Sequence, residues 1–342
     1  MNSGQAHGCG TAVIAFLMGL AAAGHAAAAD CPAAPPAVRD IKAMGYYSDA
    51  AKSVIDPAKF KANRALTAPL DDYAKRLAAL SDAYLAPGDA AAGACALAWL
   101  DGWAQGAALL GRMERVNNDQ PDYLRQWTHA GAAIAYLKVR PAASAAQRAR
   151  IEAWLKAVAA SSLAYWDDPR KSRNNHYSWT GVGVMATALA SGDAALLDRA
   201  RAIYRHGVDE IQDDGALPLE MARGARAFHY HNYALDPLVL MAEMARRRGE
   251  DWYGYREGQI DRLAARVADG YADPSWFAAH ARTPQAPEDS KPTGETGWVE
   301  FYRLRAPHPE RFAALHAAGP FDDPRAGGDL TLMADRGLFD AK

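Results

Sequence analysis

The sequence predicts an all-α protein, one domain built from antiparallel helical hairpins. Three observations lead there: strand signals are scarce, long amphipathic stretches dominate, and Gly, Pro and Asp interrupt them at short intervals. Short loops make successive helices neighbours in space, so they pack as pairs. No fixed period recurs, which excludes a TPR or HEAT array. The spacing suits a toroid of hairpins whose inner helices line a cleft.

Taken in order, the chain begins with an address. Residues 11–23 form an apolar run too short to span a bilayer comfortably. Overlapping A-x-A cleavage patterns follow at residues 24–29, although the preceding region carries His7 and no Lys or Arg. Residues 1–29 are therefore expected to be a secretory signal cut near Ala28 or Ala29. Residues 30–342 are expected to be a single domain, periplasmic or secreted, with no later segment apolar enough to cross a membrane. Residues 45–64 mix Tyr46, Tyr47, Lys59, Lys61 and Arg64. They read as an arm packed on the domain, and their composition also suits a lid over a polysaccharide.

Helices are expected at 70–85 (stopped by Pro87-Gly88), 91–112, 121–139, 143–166, 179–190, 194–211, 237–248 and 260–271. Shorter ones are expected at 298–304 and 309–315. Pro121 and Pro237 suit first helical positions, the latter with Asp236 as N-cap. Alternatively Pro237 kinks a longer helix, which would set Arg226 and Tyr233 two turns apart on one face. Residues 281–297, rich in Pro, Gly and charge, read as a long surface loop.

The chain has 342 residues, with 38 Lys and Arg against 40 Asp and Glu. Such a balance argues against a non-specific nucleic-acid binder, and a polyanionic partner would require positive charge gathered in a cleft. Cys9 leaves with the signal, so Cys31 and Cys95 remain as an even pair in an oxidising compartment. A bridge between them would contribute about 4 kcal/mol through loop entropy.

Chemistry concentrates in two clusters, residues 174–179 (Asn-Asn-His-Tyr-Ser-Trp) and 226–233 (Arg-Ala-Phe-His-Tyr-His-Asn-Tyr). In the first, Asn175 and His176 could aim donors at an anion while Trp179 stacks on a sugar. Equally, Asn174 could cap a helix, His176 bond a carbonyl and Trp179 belong to the core. The second cluster packs Arg226, His229, Tyr230, His231, Asn232 and Tyr233 into eight residues. Burying that many polar groups for structure alone is costly unless each finds a partner. His229 and His231 lack the spacing of a zinc motif. Gly181-Val182-Gly183 lacks the strand and third glycine of a dinucleotide site, and no G-x-S-x-G elbow occurs. No metal or cofactor is therefore expected. Asp213-Asp214-Gly215 reads as a turn, its carboxylates being the glycosidase candidates.

Together the clusters resemble those of the polysaccharide lyase family 5 alginate lyases, bacterial periplasmic mannuronate lyases. Residues 174–179 resemble the family's N-N-H-S-Y-W run with Tyr177 and Ser178 exchanged. Residues 226–235 resemble its R-A-x-x-Y-H-N-Y-A-L run. Likeness extends to Asp56-Pro57-Ala58-Lys59-Phe60, Cys95-Ala96-Leu97, residues 184–188 and Gly327-Gly328-Asp329-Leu330. The resemblance implies an incomplete (α/α) toroid and metal-free β-elimination on a polyuronate; separately, the protein is expected to be a monomer. It places the carboxylate neutralisers at Asn175, His176 and Arg226, the catalytic tyrosine at Tyr233 and a lid lysine at Lys59. Trp179 and Tyr230 match sugar subsites. His229, Arg64, Tyr47 and Tyr123 complete the expected binding set.

In that chemistry the neutralisers stabilise an enolate-like dianion. Tyr233, its phenolate favoured by Arg226, moves the C5 proton and the proton for the leaving 4-oxygen. In mannuronate the two lie on one side, so one tyrosine can serve both steps; with His176 as base, Tyr233 is the acid only. Tyr177 and Ser178 are inverted, His229 replaces a smaller polar residue common in the family and the 281–297 loop is this chain's own, so glucuronate-containing polymers are expected beside mannuronate. The competing readings are a helical-toroid glycoside hydrolase using Asp213 or Asp214, and a non-catalytic periplasmic polysaccharide-binding protein.

Overall fold

The computed structural model describes residues 31–86 and 89–340, with residues 1, 2 and 4. The expected signal and its cleavage site lie outside the described residues, as do Pro87 and Gly88. Strand β1 (Ile41–Met44) leads into helix α1 (Pro57–Leu85), capped by Asp56, whose carboxylate accepts from the Ala58 and Lys59 amides. α1 therefore starts 13 residues before the expected 70, and the arm keeps only its first part outside a helix. α2 (Ala90–Gln105) ends before the expected 112, because Ala107 and Leu109 turn the chain at positive φ. The chain then follows the N-terminal segment, Leu109 N donating to Val38 O and Gly111 N to Arg39 O, into β2 (Met113–Val116), parallel to β1.

Three hairpins follow. α3 (Gln120–Val139) pairs with α4 (Ala145–Trp166), and α5 (Asn175–Ser191) with α6 (Ala194–Asp209). A short α7 (Pro218–Met221) precedes α8 (Ala227–Arg246), which packs on α9 (Gln259–Ala272). α3, α5 and α8 form the inner layer, and α5 touches both of the others. Smaller helices α10 (Ser275–Ala281), α11 (Val299–Tyr302) and α12 (Ala313–His316) lead to the carboxy-terminal segment. The architecture is the expected all-α toroid of helical hairpins. Among the described residues no helix is long and apolar enough to cross a membrane.

The inner helices are enclosed nearly all round, as expected for helices with partners on both sides. Every residue of α3 is buried except Tyr123; in α5 the first exception is His176; in α8 before its last residue it is His229. These three side chains open onto the same cleft.

α8 runs through Pro237, which lacks the N–H that the Tyr233 carbonyl would otherwise accept. Asp236 is thus not an N-cap. Its carboxyl is fully buried, and burial pushes its pKa well up.

The carboxy-terminal segment closes over the inner layer. β3 (Asp322–Asp323) and β4 (Gly328–Asp329) form an antiparallel pair ahead of α13 (Leu330–Asp335). A Cβ on Gly131 of α3 would lie 2.2 Å from the Pro324 carbonyl oxygen, so only glycine allows this approach. Gly327 sits at φ 96°, where a Cβ would also strike Ile134. Lys138, fully enclosed, bonds Asp82 of α1 and donates to Gly327 O at 2.7 Å, while Asp329 N donates to Asp82 at 3.0 Å. The segment is thereby fixed to α1 and α3.

The Cys31–Cys95 disulfide is present and joins the N-terminal segment to α2, where Trp99 and Trp103 also donate to the Pro32 and Pro35 carbonyls. Cys95→Ala should cost about 4 kcal/mol. Guanidinium unfolding of the mature protein reads this directly, and an unchanged midpoint would mean that the two tryptophan bonds hold the segment unaided.

Candidate active site

The open wall of α3, α5 and α8 forms a cleft of two lobes, about 250 and 450 Å³, which share Arg226, His229, Glu295 and Arg325. The smaller lobe holds Lys52, Arg223, Arg226 and Arg325 against the single carboxylate Glu295. The cation concentration that a near-neutral chain needs for a polyanion is therefore local.

His176 lies in the first turn of α5, its ring flat on Tyr123 with centroids 3.7 Å apart. Burial, then Arg223 and Lys52, hold its pKa well below the ordinary imidazole value, so it is neutral. His229 is neutral for the same reasons: burial and Arg226 bring it down to about 3.

Tyr233 is 4 % exposed and its hydroxyl has no hydrogen-bond partner among the described residues. Its ring meets Trp127 and Trp179, with His229 parallel at 6.0 Å. Burial pushes its pKa well above the ordinary phenol value, and Arg325 is the strongest opposing charge. The resting group is a phenol. The cation that favours its phenolate is Arg325, not Arg226 as expected from the sequence.

Arg226 instead pairs through two nitrogens with Asp289, at 3.1 and 3.3 Å. Arg325 lies over Trp127 at 4.8 Å and donates one nitrogen to Glu295 at 3.0 Å. Nothing near either cluster marked Arg325, because it arrives on the carboxy-terminal segment. Asp289 and Glu295 come from the expected surface loop 281–297, which is instead a wall of the cleft with short 3₁₀ turns at Pro287–Ser290 and Gly294–Thr296.

Other expectations are redistributed. Asn175 is buried and faces away from the cleft, its amide donating to Glu220 at 2.9 Å; Asn174 takes the cleft wall beside His176. Trp179 is fully enclosed against Tyr233 and is core, leaving no face for a sugar. Lys59 stays outside, 3.9 Å from Asp56, because the α1 cap turns it away; Lys52 is the arm lysine in the cleft. Tyr47, Tyr123 and Tyr230 line the smaller lobe, and Arg64 the larger. His231 is structural, Nδ1 bonding Ala227 O and Nε2 accepting from Leu217 N. Asp213 and Asp214 form a surface turn with Arg262, remote from the cleft.

Residues 46–56 roof the smaller lobe. Tyr47 bonds the Tyr230 hydroxyl at 2.5 Å, and Arg223 donates to Ala51 O and Lys52 O while stacking 3.4 Å over Tyr230. The lid composition read in the sequence is therefore positioned over the cleft.

The buried neutral histidines have a stability consequence. Burial, named first for each, lowers His129 and His229 to about 3 and His231 to about 4. Below an unfolded value near 6.5 the unfolded chain binds protons that the fold refuses, so these histidines withdraw stability as pH drops toward 4, while buried Asp236, its pKa raised, acts in the opposite direction. Each such histidine should remove about 2 kcal/mol at pH 5. Denaturation midpoints at pH 7 and pH 5, compared between wild type and His231→Asn, isolate the histidine share, and an equal pH dependence in both would contradict it.

The ring of helical hairpins thus gathers arginines and histidines round a tyrosine, and its larger lobe adds Asp71, Glu288, Asp289, Asp322 and Asp323. The family model described as alginate lyase matches residues 40–277. A polysaccharide lyase of Stenotrophomonas maltophilia is 56% identical over 95% of this chain and 96% of its own length. An alginate lyase of Azotobacter vinelandii is 33% identical over 89% of this chain and 84% of its own. Among solved structures, alginate lyase A1-III from Sphingomonas species A1 superposes with a TM-score of 0.74 at 29% identity, covering 89% of this chain and 86% of that one. A tyrosine-to-phenylalanine variant of A1-III complexed with a tetrasaccharide gives 0.77 at 29% identity, covering 89% and 85%. The chain belongs to the alginate lyase family.

Proposed function

We propose that this lyase cleaves 1,4-linked polyuronates, polymannuronate and glucuronate-containing polymers among them, by β-elimination that leaves a 4,5-unsaturated uronate. The observation that carries the reading is the buried, unpartnered Tyr233 hydroxyl among His176, Arg226 and Arg325. Those three groups hold the C5 carboxylate and stabilise the enolate-like dianion that forms as C5–H breaks, charge-directed donors being the largest expected contribution.

Tyr233 enters turnover as the phenolate, its proton released to solvent. It takes the C5 proton, and the resulting phenol gives that proton to the 4-oxygen as the C4–O4 bond breaks, which regenerates the phenolate. One hydroxyl suffices where the two reacting positions share a face of the sugar. Protein cations supply the charge stabilisation, so no metal is required. Asn175 acts on this scheme from behind, by fixing the start of α5 against Glu220. We assign residues 1–29 to an export signal and the domain to the periplasm.

The test is the ultraviolet absorbance of the new double bond with polymannuronate, polyglucuronate and hyaluronate, before and after chelator treatment. Reducing ends without a double bond would indicate hydrolysis. Binding without chain shortening would indicate a non-catalytic role.

A further inference from the structure

We propose that Thr180, acting through Gln126, fixes which nitrogen of His176 carries its proton, so that the imidazole meets the cleft as a hydrogen-bond donor and not as a base. The inference rests on the reading above for its consequence in turnover, but its geometry stands alone. Three side chains, one each from α3, α4 and α5, form a chain of hydrogen bonds behind the His176 ring. Trp166 Nε1 donates to Thr180 Oγ1 at 2.7 Å, Thr180 Oγ1 donates to Gln126 Oε1 at 2.8 Å, and Gln126 Nε2 lies 3.2 Å from His176 Nδ1. Trp166, Thr180 and Gln126 are almost wholly buried, so water does not compete for these groups.

The direction of the chain follows from its first member. An indole N–H can only donate, so it occupies an acceptor position of Thr180 and leaves that hydroxyl one proton to give. That proton has two possible acceptors, Gln126 Oε1 at 2.8 Å and the His176 carbonyl at 3.3 Å. The first matches an ordinary O–H···O bond; the second is long, and that carbonyl stands within the helix ladder. With its oxygen committed to Thr180, the Gln126 amide presents N–H to His176. Nδ1 must then accept, and the ring proton belongs on Nε2, which has no hydrogen-bond partner among the described residues.

Turning the Gln126 amide over would reverse everything downstream. Its N–H would point at Thr180, its oxygen would accept from a protonated Nδ1, and Nε2 would become a bare acceptor. A bare Nε2 facing a uronate carboxylate repels it and is poised to take a proton. The orientation of one buried amide thus separates two roles for His176, donor to the carboxylate or base at C5. Thr180 and Gln126 are positioning residues here, since neither lines the cleft.

The test is nitrogen-15 NMR of the histidine-labelled full-length mature enzyme at neutral pH, with His176 assigned as the signal lost in His176→Gln. The wild type and Thr180→Ser should show a neutral ring with the proton on Nε2. Thr180→Val, which keeps the shape and removes the hydroxyl proton, should show mixed tautomers and a kcat at least tenfold lower with KM little changed, and Thr180→Ser should restore both. Gln126→Glu offers only acceptors, so it should move the proton to Nδ1 and depress kcat at least as far. A wild-type ring protonated on Nδ1 would overturn the proposal. So would a Thr180→Val enzyme with unchanged tautomer and kcat. If Thr180→Val does not fold, the wild-type tautomer and Gln126→Glu still decide the matter. Absence of lyase activity on every polyuronate would defeat the functional reading while leaving the tautomer result intact.

Discussion

Replacing Tyr233 with phenylalanine is expected to lower kcat by about 10²–10⁴-fold, the range for loss of a positioned acid–base group. Substrate affinity should change little, because the ring keeps its contacts with Trp127, Trp179 and His229. The fold should also survive, since the hydroxyl bonds no described residue. The wild-type rate carries a second sign of the same group. Burial raises the phenol's pKa, so the phenolate fraction grows as pH rises through the neutral and alkaline range. The kcat/KM for polymannuronate should climb with pH until another group intervenes. A Tyr233→Phe enzyme that turns over normally, or a wild-type rate that falls steadily from pH 6 to 9, would remove Tyr233 from the proton path.

Arg325→Leu is expected to reduce kcat/KM by about 10²–10³-fold, as for loss of a charge-stabilising donor aimed at the developing anion. The loss should exceed that of Arg226→Leu. Arg226 already spends two nitrogens on Asp289, whereas Arg325 gives one to Glu295 and is the leading positive influence on Tyr233. Arg325→Lys should recover part of the rate, since the charge returns without the planar fork. Parallel measurement of the three variants decides the order. If Arg226→Leu proves the more damaging, the sequence-based choice of Arg226 as the partner of Tyr233 is restored.

How far the site could be read from the chain is shown by one dipeptide, Asp-Pro, in two of its settings. Asp56-Pro57 caps α1, with the Asp56 carboxylate on two amides. Asp236-Pro237 has the same letters and lies inside α8. Local pattern cannot separate the two cases. The second is decided by tertiary anchors on the preceding turns, Arg226 on Asp289 and Leu217 N on His231, which hold residues before the proline in a helix. The hairpin architecture was legible because loops are short and the helical stretches long. The inner helices gave less signal, since they are buried on all sides and lack an apolar face to align with the core.

The polar clusters located the cleft correctly through His176, Arg226, His229, Tyr230 and Tyr233. Asn175 and Trp179 lie off the cleft wall, because helix phase within one turn decides which neighbour faces it. Lys59 was misread because its helix begins earlier than its periodicity indicated. Arg325 was not legible at all. It stands beyond residue 277, where the family match ends, beside the Gly327-Gly328-Asp329-Leu330 run, whose likeness to the family carried no role for a neighbouring residue.

That segment also sets when the enzyme becomes an enzyme. Its anchors join residues far apart in the chain: Asp329 to Asp82 across 247 positions, and Lys138 to Gly327 across 189. Contacts so distant form late, after the entropy of closing the intervening chain has been overcome. A chain still emerging lacks the arginine that the folded cleft sets opposite its tyrosine. On the proposed mechanism, catalytic competence is expected only once this last stretch of chain has docked.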